Sequence, residues 1–181
     1  KRIRVLTKVL SKNLSLGDRV VLLSENRPEW LIADLAIMNA GGVTVPLFTT
    51  YSKKDYEYII NDCKPKMFII SNDNQYEKIE KFIPKESLII SFDYLSEYYA
   101  SYKEAVCLTL DGIFDDYEIN PKLSQQIKLD YNKNLKRNNL ACIIYTSGTT
   151  GNPKGVMLSH GGILSNCEGA IEILKPLIKN D

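Results

Sequence analysis

Residues 140–155 have the sequence LACIIYTSGTTGNPKG, in which an apolar run is followed directly by a segment rich in glycine and hydroxyl residues. The run 140–145 has the length of a buried strand, and it ends where the glycines begin. The pattern predicts a strand that leads into a loop. Because such a loop is attached to a buried strand, its polar groups can bind a ligand without reorganising.

The loop itself, residues 146–155, has the composition of a phosphate-binding segment. Its three glycines allow positive φ and let backbone N–H groups approach a ligand closely. Its four hydroxyl side chains add hydrogen-bond donors, and Lys154 adds a positive charge. The residues expected to bind phosphate are Thr146, Ser147, Gly148, Thr149, Thr150, Gly151 and Lys154.

This loop differs from the P-loop of the common NTPases, which has a glycine, four further residues and then Gly-Lys-Ser/Thr. Pro153 stands where the second glycine of that motif would be, counted from Gly148. Lys154 is followed by Gly155 and not by a hydroxyl residue. The sequence therefore predicts a phosphate loop of a different design.

Residues 145–155 resemble the signature loop of the adenylate-forming (AMP-binding) enzymes, which include acyl-CoA synthetases, luciferases and the adenylation domains of peptide synthetases. A second block, residues 17–47 with NRPEW at 26–30, is similar to the long-chain fatty acyl-CoA synthetase branch. The resemblance covers nearly the whole chain and is weakest over residues 111–139.

The resemblance implies a two-step ligation. A carboxylate attacks the α-phosphate of Mg-ATP to give an acyl-adenylate and pyrophosphate, and coenzyme A then converts the adenylate to a thioester and AMP. In that scheme residues 147–151 would surround the β- and γ-phosphates and Lys154 would neutralise them. Thr146 would help to place Mg²⁺, so Lys154 and Thr146 are the expected catalytic residues and Thr146 the expected metal ligand.

Members of this family continue beyond the signature loop with parts that residues 1–181 do not contain. These parts are an acyl pocket, an acidic metal ligand, an aspartate for the ribose hydroxyls and a mobile C-terminal domain. Residues 1–181 are therefore expected to be an incomplete N-terminal AMP-binding domain of a long-chain fatty acid–CoA ligase. Without the C-terminal domain, this part is expected to be inactive alone.

Two alternative functions fit the same residues. One is a stand-alone nucleotide- or phosphate-binding module with no chemistry of its own. The other is an adenylate-forming ligase for an aryl, short-chain or amino acid, since the residues that would line an acyl tunnel mostly lie outside this chain.

Strand-like and helix-like segments alternate along the chain, which predicts an α/β fold with a largely parallel sheet and helices on both faces. Asn26 is the predicted N-cap of the second helix, and Ser52 begins the third with a capping-box pattern. Residues 111–139 show no periodicity and indicate a connecting segment, compatible with a short strand near 127–129. The predicted strands cover residues 20–23, 43–47, 67–70, 88–92, 140–145 and 156–158.

The composition is that of one soluble globular unit, with 44% hydrophobic residues, 23 basic and 22 acidic side chains. The balanced charge gives no indication of a nucleic-acid partner. The partners that the resemblance implies are small molecules, namely a fatty acid, ATP and coenzyme A. His160, the single histidine, is expected to be structural rather than catalytic.

No apolar run in the sequence has the length needed to span a membrane, and the four cysteines are scattered without a C-x-x-C pair. A cytoplasmic location without structural disulfides is therefore predicted. Some members of the family that this chain resembles associate with a membrane, so the resemblance is compatible with peripheral membrane association of the full-length parent.

Overall fold

The computed structural model describes residues 1–96, 107–120, 134–147 and 151–178. These residues form one seven-stranded sheet and six α-helices. The strands are β1 (Arg19–Leu23), β2 (Val43–Leu47), β3 (Met67–Ile70), β4 (Leu88–Ser91), β5 (Cys107–Thr109), β6 (Leu140–Thr146) and β7 (Lys154–Ser159).

The strand order across the sheet is β5-β4-β3-β1-β2-β6-β7. All neighbouring strands are parallel except β6 and β7, which form an antiparallel hairpin at one edge. The prediction of a largely parallel sheet is confirmed. Because the strands from β5 to β6 are parallel, their carboxyl ends lie at one edge of the sheet, where open α/β sheets bind ligands.

Alternate residues of the central strand β1 point into two different cores. Val20 and Leu22 belong to a cluster that includes buried residues of the helices α1 (Arg2–Leu10), α2 (Pro28–Asn39) and α5 (Leu110–Ile119). Val21 and Leu23 belong to a cluster with α3 (Lys53–Cys63) and α4 (Asp73–Ile79). Because side chains alternate along a strand, these clusters lie on opposite sides of the sheet, called here the first and second face. The remaining α-helix of the described residues, α6 (His160–Ile178), directly follows β7.

The capping box predicted at the start of α3 is confirmed. The Ser52 hydroxyl accepts a hydrogen bond from the Asp55 backbone N–H at 3.3 Å, and the Asp55 carboxylate accepts one from the Ser52 N–H at 3.2 Å. These two bonds satisfy donors that a helix start leaves unpaired. At the other end of α3, the Arg19 guanidinium donates to the backbone carbonyls of Cys63 at 2.7 Å and Lys64 at 3.0 Å. Both ends of α3 are therefore fixed.

The N-cap predicted for α2 was wrong by one residue. Arg27, not Asn26, occupies the cap position, and Pro28 is the first helical residue. The Arg27 side chain makes no capping bond, because a guanidinium has no acceptor atom. It donates instead to Glu29 at 2.9 Å and in a bidentate pair to Asp93 at 2.9 and 3.0 Å. This ion pair ties the loop after β1 to the end of β4.

The prediction of an irregular segment from residue 111 onwards was wrong for residues 111–119, which are part of α5. The Thr109 hydroxyl caps this helix by accepting the Gly112 N–H at 3.1 Å. The strand suggested near 127–129 lies outside the described residues. The side chains that α5 buries, at helical spacing, are Leu110, Ile113, Phe114 and Tyr117.

The hairpin edge of the sheet and helix α6 present an apolar surface to solvent. Met157 of β7 is 71% exposed, and Ile171 and Ile173 of α6 are 62% and 76% exposed. An exposed apolar patch of this kind typically marks an interaction surface or promotes self-association. Within the described residues no helix, α6 included, combines the length and hydrophobicity required to cross a membrane.

Candidate functional site

The glycine-rich loop connects the two strands of the hairpin at the carboxyl edge of the sheet. Thr146 is the last residue of β6 and Lys154 the first of β7, and the two are paired directly across the hairpin. Directly opposed residues of an antiparallel pair project from the same side of the sheet. The strand pairing therefore places the side chains of Thr146 and Lys154 on the same side of the hairpin.

Both side chains belong to the first face of the sheet. Tyr145 packs in the core of the second face, so Thr146, the next residue of the same strand, points the opposite way. Lys154 is exposed, and among the described residues no carboxylate lies within salt-bridge distance of its ammonium group. The charge of Lys154 is thus available to an anion.

The structure describes four of the seven residues predicted to bind phosphate. Thr146, Ser147 and Gly151 are exposed, like Lys154. Gly151 has φ +100°, a backbone conformation that residues with a Cβ rarely adopt. Gly148, Thr149 and Thr150 lie outside the described residues, and their phosphate contacts stay predictions.

On the second face, Tyr145 holds the end of β6 in place. Its ring is 2% exposed, its hydroxyl donates a hydrogen bond to the Asp62 carboxylate of α3, and its backbone carbonyl accepts one from the Tyr51 hydroxyl at 2.8 Å. Burial raises the pKa of the Tyr145 phenol, and the hydrogen bond to Asp62 raises it further. The phenol therefore remains a neutral donor.

Gly155 was predicted only as one of the three glycines of the loop, and the structure shows that it also has a packing role. It pairs with Tyr145 across the hairpin, and a Cβ at this position would lie 2.9 Å from Ile143 Cγ2 and 3.3 Å from Cζ of the Tyr145 ring. A side chain here would force the ring or its neighbour to move. Gly155 therefore serves close packing of the hairpin, whereas Gly151 provides positive φ.

A polar network at the carboxyl ends of β1 and β3 was not predicted. The Glu25 carboxylate accepts hydrogen bonds from the Ser71 hydroxyl at 2.6 Å and from the Gln75 amide at 2.7 Å. Burial alone would raise the pKa of Glu25, but these hydrogen bonds outweigh it and the net shift is downward. Lys78 extends the network by donating to Gln75 at 2.9 Å and to the Thr49 carbonyl at 2.8 Å. The network joins the loops that follow β1, β2 and β3.

His160 begins α6, and its Nε2 atom is buried without a hydrogen-bond partner among the described residues. Burial lowers the pKa of this imidazole. An unfolded histidine has a pKa of about 6.5, so the unfolded chain gains the proton first as the pH falls. The neutral His160 side chain therefore contributes to the free energy of unfolding at pH values above that pKa, and this contribution is lost at pH values below it.

We expect the urea midpoint of the wild type to fall on going from about pH 7.5 to about pH 5.5, the window set by the ordinary histidine pKa. The His160→Gln variant should show a smaller fall, because glutamine does not titrate. Urea denaturation of both proteins at the two pH values measures the difference. An identical pH dependence would show that His160 does not contribute.

Known proteins share sequence similarity with most of this chain. The family model described as AMP-binding enzyme matches residues 1–179. The fatty acyl-CoA synthetase A of Dictyostelium discoideum is 32% identical over 171 residues, which cover 87% of this chain and 23% of that protein. The long-chain-fatty-acid–CoA ligase ACSBG2 of Xenopus laevis is 35% identical over 151 residues, covering 80% and 19%. This chain spans about a fifth of the length of these two relatives.

Solved structures share the same architecture. ATP-bound MatB from Rhodopseudomonas palustris has a TM-score of 0.65 and 29% identity, covering 94% of this chain and 30% of that one. The luciferase-like enzyme of the nonluminescent mealworm Zophobas morio has a TM-score of 0.73 at 21% identity, covering 94% and 37%. With the fold shared and the family model matched over residues 1–179, the chain belongs to the AMP-binding enzyme family.

Proposed function

We propose that residues 146–155 bind the β- and γ-phosphates of ATP, and that the chain supplies this part of an ATP-dependent fatty acid–CoA ligase. The observation that carries the proposal is the pairing of Thr146 with Lys154. This pairing gives one side of the hairpin a hydroxyl and a cation, which no carboxylate of the described residues neutralises, at the edge of the sheet where open α/β folds bind ligands. An anionic ligand with several oxygens is the chemistry that such donors recognise.

The same donors suit the leaving group of adenylation. The carboxylate oxygen of the acid forms a bond to the α-phosphorus, the bond from that phosphorus to its bridging oxygen breaks, and pyrophosphate leaves with the electron pair. Negative charge therefore accumulates on the β-phosphate. Lys154 and the Thr146 hydroxyl would stabilise that charge, because donors oriented before the reaction lower its barrier most effectively. Coenzyme A then attacks the acyl carbon and releases AMP.

Mg²⁺ fits the donors of this site. It prefers oxygen ligands and keeps several waters when it binds with nucleotide phosphates, so one protein hydroxyl is enough. Thr146 would supply that hydroxyl, and the ion would neutralise part of the phosphate charge. Among the described residues no group of three or more His, Cys, Asp or Glu could hold a separate metal ion.

The choice of substrates follows from the relatives. The matched curated proteins are named as a fatty acyl-CoA synthetase and a long-chain-fatty-acid–CoA ligase, which supports a fatty acid as the carboxylate. The ATP-bound MatB structure, at 29% identity, supports ATP as the nucleotide. A ligase for another carboxylic acid would use the same loop.

Complete ligation is not expected from these 181 residues alone, because the chain spans about a fifth of the length of its relatives. Incubation with Mg-ATP, palmitate and coenzyme A should therefore yield no palmitoyl-CoA. Formation of the thioester by the purified chain would contradict this part of the proposal.

Phosphate binding is tested directly by isothermal titration calorimetry. The chain should bind Mg-ATP and Mg-pyrophosphate saturably, whereas AMP, which lacks the β- and γ-phosphates, should bind much more weakly. Equal affinity for AMP and ATP would show that the loop does not recognise those two phosphates.

A further inference from the structure

We propose that the hydrogen bond from Tyr145 to Asp62 positions the phosphate-binding loop, which makes Tyr145 and Asp62 positioning residues for the nucleotide. This inference rests on the proposed function of residues 146–155. Neither residue would contact the ligand, because the Tyr145 side chain lies on the second face and Thr146 and Lys154 lie on the first.

Tyr145 is held at three points and directly precedes Thr146. Its hydroxyl donates to Asp62, its backbone carbonyl accepts from Tyr51 at 2.8 Å, and its ring packs against the bare backbone of Gly155. Rotation or sliding of the strand end would break all three contacts. The orientation of Thr146, and of the loop that starts there, is therefore fixed from the opposite side of the sheet.

Asp62 is a suitable anchor because the helix that carries it is itself rigid. The Ser52 capping box fixes the start of α3, and Arg19 donates to the carbonyls at its end. A hydroxyl bonded to a carboxylate is also among the stronger side-chain hydrogen bonds. Supporting contacts of this kind hold a binding site in its productive geometry.

An open cavity of about 330 Å³ borders this hydrogen bond, with Asp62, Tyr145, Gly155 and Met157 in its lining. A cavity of that size accommodates water. When the phenol hydroxyl is removed, water can therefore solvate the Asp62 carboxylate. The Tyr145→Phe variant is thus expected to fold, which makes its ligand affinity interpretable.

Tyr56 provides a matched control within the same core. It is 1% exposed, and its hydroxyl donates to the Phe48 carbonyl at 2.8 Å, so Tyr56→Phe also removes one buried hydroxyl bond. That bond joins residues 48 and 56 and does not involve the hairpin, and phenylalanine keeps the edge-on contact of the residue 56 ring with Tyr51 at 6.0 Å. A difference between the two tyrosine variants therefore reports on the loop and not on general stability.

The test measures Mg-pyrophosphate and Mg-ATP affinity by calorimetry and stability by urea denaturation for the wild type and five variants. Tyr145→Phe and Asp62→Ala should each weaken binding by about three- to tenfold, a range typical for one lost hydrogen bond. Asp62→Asn, which can still accept the phenol proton, should recover part of the loss. Tyr56→Phe should stay within about twofold, as expected for a site that is not coupled to the ligand.

The fifth variant combines Tyr145→Phe with Asp62→Ala. Because both changes remove the same bond, the double variant should bind no more weakly than either single variant. Equal affinities of Tyr145→Phe and Tyr56→Phe, or full additivity in the double variant, would overturn the positioning role and leave phosphate binding intact. Failure of the wild type to bind either ligand would overturn both proposals.

Discussion

Replacing Lys154 with alanine is expected to weaken Mg-pyrophosphate and Mg-ATP binding by about ten- to a hundredfold, the range for loss of a charge-assisted hydrogen bond. Lys154 is exposed and faces the same side as Thr146, so its charge would meet the phosphates directly. Because it makes no salt bridge among the described residues, its removal should leave the free energy of unfolding nearly unchanged. Calorimetry and urea denaturation separate the two effects.

Lys12 provides the control for charge alone. It is also an exposed lysine, but it lies in the turn after α1, before the first strand and away from the hairpin. Lys12→Ala removes the same charge and should leave the affinity for pyrophosphate within about twofold, as screened surface charges do at physiological salt. If Lys12→Ala and Lys154→Ala weakened binding equally, the attraction would be general and not a property of the loop.

The largest loss of stability is expected from Phe68→Ala. Phe68 is fully buried in the middle of β3, in the core of the second face. Removing a buried phenylalanine side chain typically costs about 3–5 kcal/mol, because apolar contacts are lost and a cavity remains. Since domains are stable by only about 5–15 kcal/mol, the variant should be partly unfolded at moderate temperature. Urea denaturation followed by circular dichroism measures the change.

Phe48 is the matched comparison, because its ring is 61% exposed and packs edge-on against Tyr51 at 5.3 Å. Phe48→Ala should cost less than about 1.5 kcal/mol, the upper range for one aromatic pair. Equal destabilisation by the two variants would show that β3 is not part of the cooperative core.

The strands β1 to β4 and β6 were predictable because each is a short, continuous apolar run, whereas the three-residue strand β5 was not predicted. Residues 67–70 and 43–47 were predicted with the bounds that β3 and β2 have in the structure. The α5 helix was missed although its buried residues recur at helical spacing, since Gly112 and several acidic residues interrupt the apolar pattern. The cap of α2 was missed because Arg27, which lacks a capping oxygen, is held there by a distant ion pair with Asp93.

At the candidate site, the composition of residues 146–155 predicted a phosphate-binding loop, but it did not predict the hydrogen bonds that hold the neighbouring elements in place. The predicted hydrogen-bond donors to phosphate lie within one short stretch, residues 146–155, so their chemistry can be inferred from the sequence alone. Tyr145 and Asp62 are 83 positions apart, and Glu25 and Gln75 are 50 apart, so their contacts arise only from the strand order. The pairing of Thr146 with Lys154 likewise depends on the antiparallel turn of the hairpin, which composition does not specify.

Backbone amide shifts during a titration with Mg-pyrophosphate show most directly where the phosphates bind. In a ¹⁵N-labelled sample, the amides of Thr146, Ser147, Gly151 and Lys154 should shift saturably, with smaller changes elsewhere, and Lys154→Ala should weaken the response. Saturable shifts confined to the polar network at Glu25 and Ser71, with the hairpin amides unchanged, would contradict phosphate binding by the glycine-rich loop.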